Sequence, residues 1–169
     1  MPELKLEGGG LSDTLDLVVM GGNRGYGRKR HWYSPLFLGA WCADKGVWEP
    51  VTGILSFSNG FYEEFKRWSE SEELGEPNLL AAPPDCYAVP AKLECAAWFR
   101  PHWVLEVKGS ELTLSPTYLA GQGVARDKPE HGLSLRFPRL VKVREDKSPE
   151  DATTSQQLRQ LYLMQSRRR

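Results

Sequence analysis

The chain has few cysteines, no excess of charge of either sign and no long apolar run. Its three cysteines, Cys42, Cys86 and Cys95, are odd in number and contain no close pair. That excludes a disulfide framework and leaves no zinc-ribbon spacing. His31, His102 and His131 are scattered, so no metal-ligand set is expected from them. No apolar stretch approaches the roughly 18 residues of a membrane span, and no signal peptide precedes the first charges. Both absences lead to the expectation of an intracellular protein. Formal net charge is zero, from 22 basic and 22 acidic residues. Taken alone, that balance speaks against a partner of strong charge.

The distribution of charge speaks the other way. Between Asp16 and Asp44 there is no acid, yet Arg24, Arg28, Lys29 and Arg30 crowd together, whereas Glu63, Glu64, Glu70, Glu72, Glu73 and Glu76 fill a later segment. A neutral sum therefore covers a polarised surface, and local potential is what steers a polyanion. Hydrophobic residues make up 40% and charged residues 26% of the 169, the composition of one ordinary globular domain with its own core.

Period-two alternation predicts strands. The first runs from Asp13 to Met20, with Leu15, Leu17 and Val19 on one face, and a flexible basic loop follows from Gly21 to Arg30. Two further strand-like pieces cover Trp32 to Trp41 and Val47 to Phe57. Beyond Ser58-Asn59-Gly60 the period changes: Phe61, Phe65 and Trp68 line one side of a helix of about three turns. A Pro- and Ala-rich segment from Glu76 to Pro101 reads as irregular, with a short strand near Tyr87–Val89. The fourth strand is Trp103–Lys108, running on into Leu112–Pro116. A Gly-rich loop from Gly121 to Gly132 precedes the fifth, in which Leu133, Leu135, Phe137, Val141 and Val143 alternate with polar neighbours. After Lys147 come N-cap candidates at Thr153, Thr154 and Ser155, then a helix with Leu158, Leu161 and Tyr162 as its apolar side. The expected fold is mainly β: a five-stranded OB-fold barrel with one helix between strands 3 and 4 and a C-terminal helix. Such a barrel binds nucleic acid with its strand face and its first and fourth loops. An SH3-like barrel leaves the helix unexplained, and a two-sheet sandwich needs more strands. The tryptophans at 32, 41, 48, 68, 98 and 103 are expected in the core rather than as base-stacking platforms.

Three segments carry chemistry. Gly22-x-x-Gly25-x-Gly27 follows a strand, but Arg28-Lys29-Arg30 comes next where a dinucleotide loop needs a helix start, so that reading is rejected. The glycines let the backbone approach a partner closely, and the cations reach phosphate. Pro138 in Arg136-Phe137-Pro138-Arg139 removes a ladder donor and forces an edge or bulge. There Phe137 is either packed inside or presented as an apolar wedge for a minor groove, with guanidinium groups beside it. Arg144-Glu145-Asp146-Lys147 brackets two acids with two cations, an arrangement suited to gripping phosphate oxygens.

Together these segments resemble the ATP-dependent DNA ligases of the eukaryotic ligase I type, from Asp13 to about Gln165. The basic loop is similar to that family's Gly-x-Gly-Lys/Arg-Lys/Arg loop, Arg136–Arg139 to its Arg-Phe-Pro-Arg signature, and Arg144–Lys147 to its motif VI. Leu112–Pro116 and Glu145–Ser155 add to the likeness. The resemblance implies DNA contact by Arg24, Arg28, Lys29, Arg30, Arg136, Phe137 and Arg139, with Phe137 against the minor groove beside a nick. It implies that Arg144, Asp146 and Lys147 serve the pyrophosphate leaving ATP during enzyme adenylation. ATP and Mg2+ are then cofactors of the complete enzyme, neither held stably by this domain alone.

Two departures qualify the resemblance. No Lys-x-Asp-Gly nucleophile motif occurs in the chain, so the domain alone is expected to be inactive. The family's Trp-x-Lys-x-Lys entry segment is reduced to Leu4-Lys5-Leu6, so Lys5 is given no catalytic role. Residues 1–12 are expected to be a linker or the truncated end of an adenylation domain, 13–147 the barrel, and 148–169 the C-terminal helix and basic tail. The expected partners are nicked duplex DNA and the adenylation domain of the same ligase, with a sliding clamp as a further candidate and no membrane. A monomer in the nucleus, with mitochondria as a second compartment, completes the expectation. The alternatives are a non-catalytic OB-type nucleic-acid-binding module and the OB domain of an RNA-capping enzyme.

Overall fold

The computed structural model describes the backbone of residues 6–7, 10–11 and 13–167 and the side chains of residues 13–165. Of the expected linker, Lys5, Gly8 and Gly9 lie outside the described residues, as do Arg168 and Arg169 of the basic end.

The first long strand, β1 (Leu15–Arg24), pairs antiparallel with β2 (Tyr33–Cys42), and β2 with β3 (Val47–Ile54). Helix α1 (Asn59–Ser69) follows where its apolar spacing places it. Ser58 caps it by accepting a hydrogen bond from the Phe61 N–H at 3.2 Å. Phe61 and Phe65 turn inward, and Phe65 meets Phe99 and Trp103 edge to face at 4.8 and 5.3 Å. The helix thus closes one end of the barrel.

After α1 the chain makes the short strand β4 (Ala97–Phe99), then β5 (Val104–Lys108), β6 (Glu111–Ser115), β7 (Gly132–Arg136) and β8 (Arg139–Val143). The fourth and fifth strands expected from the sequence are therefore each broken in two. Their breaks face one another: Lys108 pairs with Arg139, Glu111 with Arg136, and the Ser110 N–H donates to the Arg136 carbonyl at 2.9 Å. Pro138 lacks a donor, Phe137 adopts a left-handed φ of 53°, and Gly109 has the Leu135 side chain where a Cβ would stand. Both strands turn the same barrel corner there.

β5 pairs with β1 and β8, and β6 pairs with β7. Between β3 and β7 the circuit is bridged by Thr52 Oγ1 donating to the Leu135 carbonyl at 2.9 Å and the Ala120 N–H donating to the Pro50 carbonyl at 3.3 Å. The order 1-2-3-5-4-1, once each broken strand is counted as one, is that of an OB-fold. Leu17, Leu36, Leu38, Leu105, Leu112, Leu133 and Leu135 fill the interior.

Two stretches differ from expectation. Gly21 and Gly22 belong to β1 rather than to a flexible loop, because β4 pairs there and Trp98 and Leu36 occupy the space of their missing Cβ atoms. Near Tyr87 there is a single bridge to Trp48 rather than a strand; the strand of this region is β4, paired with Leu79–Leu80. β4 and its surroundings cover the outer face of β1, so Val18 and Met20 are buried in a second cluster with Trp48, Trp98 and Val104. Of the other tryptophans, Trp103 is buried, Trp32 stacks on Tyr62 at 4.8 Å and Trp41 packs on Trp48 at 4.4 Å.

Helix α2 (Ser155–Arg167) begins with a reciprocal cap: Thr154 Oγ1 accepts from the Gln157 N–H, and Gln157 Oε1 accepts from the Thr154 N–H. Leu158 and Leu161 enter the same core, and the Gln165 amide completes both hydrogen bonds of the Leu112 backbone, at 2.9 and 2.7 Å. Among the described residues no helix is long and apolar enough to cross a membrane.

Candidate nucleic-acid and phosphate sites

The first site lies where β1 and β3 end. The loop after β1 folds into a single 3-10 turn at Gly27–Lys29, entered with Gly27 at a φ of 59°. Lys29 reaches back to the barrel: its Nζ donates to the Leu55 carbonyl at 2.8 Å and stands over the Tyr62 ring at 5.7 Å. The Arg24 guanidinium lies over Tyr33 at 5.2 Å. Arg28 and Arg30 are exposed, Arg30 with a weak 3.5 Å contact to the Gly27 carbonyl. Lys29 is thus an anchor, and Arg28 and Arg30 carry the free charge.

β7 runs parallel to β3, with Leu133 joined through Ala120 to Pro50 and Leu135 joined to Thr52. Its far end, Arg136-Phe137, therefore points toward the Ile54–Leu55 end of β3, where Lys29 is anchored. Phe137 is 74% exposed. The packed alternative for this ring is thereby excluded. Arg136 covers it from one side at 5.2 Å, and Arg139 is exposed on the next strand. Among the described residues no ion pair joins an acid to Arg24, Arg28, Lys29, Arg30 or Arg139, and Arg136 faces Glu111 across the β6–β7 pair. Two apolar groups at this end had no sequence signal: Tyr26, 91% exposed between two glycines, and Leu55, 66% exposed just past β3.

The second site lies at the opposite end of β1, and β8 joins the two, spanning roughly 17 Å at about 3.3 Å per residue. Here the cations are held by acids. Arg144 donates Nε and Nη2 to the two carboxylate oxygens of Asp146, both at 2.9 Å, a bidentate fork. Its Nη1 meets Asp16 at 3.3 Å and Glu106 at 3.7 Å. Lys147 Nζ donates to Asp16 Oδ2 at 2.7 Å. The hydrogen bond from Arg144 holds the Asp146 carboxyl well below the usual carboxylate range, and that same bond, aided by the Asp16 and Glu106 charges, pushes the Arg144 guanidinium further up. Sequence reading found Arg144, Asp146 and Lys147 but missed Asp16, which is 128 residues from Arg144 and sits in an unremarked polar position of β1.

Arg144, Glu145 and Lys147 border a cleft of about 750 Å³ whose floor is Trp68, Trp103, Val104 and Val143. Trp68 stacks on His102 at 5.3 Å at its rim, beside Arg67 and Glu64. Cations at the border of such a cleft can hold a phosphorylated group by its oxygens. Among the described residues there is no group of three or more His, Cys, Asp or Glu placed to hold a metal ion.

The family model for the C-terminal region of ATP-dependent DNA ligases matches residues 29–147. The chain is 38% identical over 90% of its length to DNA ligase 3 of Schizosaccharomyces pombe and 36% identical over 92% to DNA ligase 1 of Arabidopsis thaliana. It is 40% identical over 92% to a probable DNA ligase of Aquifex aeolicus. It spans 19%, 19% and 25% of those three proteins. Among solved structures, the ligase domain of M. tuberculosis LigD aligns over 83% of this chain and 38% of its own, with a TM-score of 0.59 and 19% identity. A mycobacterial DNA ligase D complexed with ATP and MES gives 0.55 over 84% of this chain and 38% of its own, at 21% identity. Those two likenesses concern the fold.

Proposed function

The chain belongs to the family of ATP-dependent DNA ligase C-terminal regions, and we propose that within such an enzyme it works at two steps with two faces. The face holding Arg28, Arg30, Arg136, Phe137 and Arg139 clamps nicked duplex DNA through the minor groove. The face holding Arg144, Asp146 and Lys147 serves ATP during enzyme adenylation.

One observation carries the DNA reading. A phenylalanine with a left-handed φ, 74% exposed and fixed between an arginine and a proline, keeps its ring out of the barrel core. Water exposure of such a ring is unfavourable, and a minor groove offers it sugars and base edges to pack on. Arg28, Arg30 and Arg139 meet the phosphates on either side, and the exposed Tyr26 and Leu55 extend the apolar part of the same surface.

On the other face, a lysine of the adenylation domain attacks the α-phosphate of ATP; an N–P bond forms and the P–O bond to pyrophosphate breaks. Negative charge builds on the leaving group, and Arg144 and Lys147 stabilise it and hold it in line. Mg2+ would come with the nucleotide: Asp16, Glu106 and Asp146 are engaged by Arg144 and Lys147, and no group of three or more His, Cys, Asp or Glu among the described residues is placed to hold the ion. One small rigid barrel can serve both steps only by turning as a body between them. Its partners on this reading are nicked duplex and the adenylation domain of the same ligase. The domain acts as a monomer, and for a eukaryotic host the compartment is the nucleus.

Competition binding with the complete ligase tests the clamp. Nicked duplex should displace a labelled nicked duplex far better than single-stranded DNA of equal length. Equal competition by the single strand would replace the clamp with a general single-strand-binding module.

A further inference from the structure

We propose that Asp16 is the positioning residue that presents Arg144 and Lys147 to the leaving phosphates, an inference that rests on the adenylation role just given to those two cations. Asp16 is itself firmly placed. Its N–H donates to Thr153 Oγ1 at 2.9 Å, and its carbonyl accepts from the Thr153 N–H at 2.8 Å. It is also paired with Glu106 across β1 and β5. The side chain is only 14% exposed, yet its one carboxylate accepts from Lys147 at 2.7 Å and from Arg144 at 3.3 and 3.4 Å.

A single anion shared by two cations does two things. It cancels the repulsion between like charges on one short turn, where partial burial weakens screening by salt. It also fixes directions. Lysine is a point charge on a flexible four-carbon stem, and Asp16 is the acid that the described residues give Lys147. With one N–H on Asp16, two remain for phosphate oxygens. Arg144 is held differently: Asp146 takes its Nε and Nη2 edge, and Asp16 steadies Nη1. Asp16 thus sets the line of Lys147 and braces Arg144 while touching no substrate itself. Glu106 is placed differently: one oxygen stands 3.7 Å from Arg144, the other accepts from Thr14 Oγ1 at 2.8 Å, and among the described residues no ion pair joins it to Lys147.

The test uses the complete ligase with Asp16→Asn, which removes the charge and keeps the shape. The adenylation rate constant should fall about 10- to 100-fold, the scale of a displacement of about 1 Å in a group that must lie in line. Sealing of pre-adenylated nicked DNA should change by no more than about twofold. Asp16→Glu keeps the charge and moves it by one methylene, so it should show the same split with a smaller loss and serves if the Asn variant does not fold. Lys147→Ala is measured beside them. If Lys147→Ala lowers adenylation and neither Asp16 variant does, the positioning role is overturned and the role of the cations stands. If Lys147→Ala leaves adenylation unchanged, the role of the cations fails and takes the Asp16 proposal with it. Equal loss of both steps in the Asp16 variants would make the residue a scaffold element and would also overturn the proposal.

Discussion

The cations of the first loop and those of the Arg144–Lys147 turn face opposite situations on one barrel. Arg28 and Arg30 stand exposed, with no acid paired to them among the described residues, and toward the same end of the barrel Phe137 has an exposed ring. Arg144 and Lys147 are half-buried, and three acids contact them: Asp16, Glu106 and Asp146. The contrast matches the ligands proposed for each. A DNA backbone is long and repetitive, and it rewards loose, uncompensated charge at many points. A leaving pyrophosphate is small and must be met in line, which rewards few charges held in fixed directions. Zero net charge is a sum over the whole chain and describes neither face.

Both faces depend on one intact barrel. Gly132→Ala breaks that shared support: its Cβ would run into the Tyr118 carbonyl and the Leu119 backbone. Overpacking against backbone should destabilise the domain by about 3 kcal/mol, lowering Tm by roughly 10 °C, and should depress both reaction steps together. Calorimetry alongside step-resolved kinetics checks it. A variant of normal Tm would show that the β7 edge gives way more easily than its packing implies.

A smaller effect sharpens the DNA side. Arg28→Ala with Arg30→Ala removes two exposed charges, so the slope of log affinity against log salt for nicked duplex should become shallower by about 1.8, or about 0.9 per phosphate contact. The same pair of substitutions should leave enzyme adenylation unchanged. Fluorescence anisotropy over a salt series reads the slope, and an unaltered slope would remove the first loop from the DNA-contacting surface.

How far these two faces could be read from sequence depends on the range over which their signals act. Helix α1 was legible because Ser58 and the i, i+4, i+7 aromatics are local, and β1 because Leu15, Leu17 and Val19 alternate. Gly21 and Gly22 misled: as a pair they look like a loop, and only the approach of Trp98 and Leu36 shows why glycine is required within a strand. Phe137 illustrates the same limit. Alternation assigns it to a buried face, whereas Pro138 and the corner shared with Gly109–Ser110 turn it outward. The cations of the second site stood out as a charged run after a strand. Their anchor did not, because Asp16 meets them only once β1 and the end of β8 are brought together. Contacts at that separation have no period and no spacing to betray them.

The most direct test of the two-face account sets Phe137→Ala against Lys147→Ala in the complete ligase, with adenylation by ATP and sealing of pre-adenylated nicked DNA measured on the same preparations. Phe137→Ala should preserve adenylation and slow sealing. Lys147→Ala should do the reverse, lowering adenylation by 100- to 1,000-fold, about 3–4 kcal/mol for one charge lost at a developing anion. Matching losses at both steps in both variants, with Tm unchanged, would contradict the division of labour between the faces.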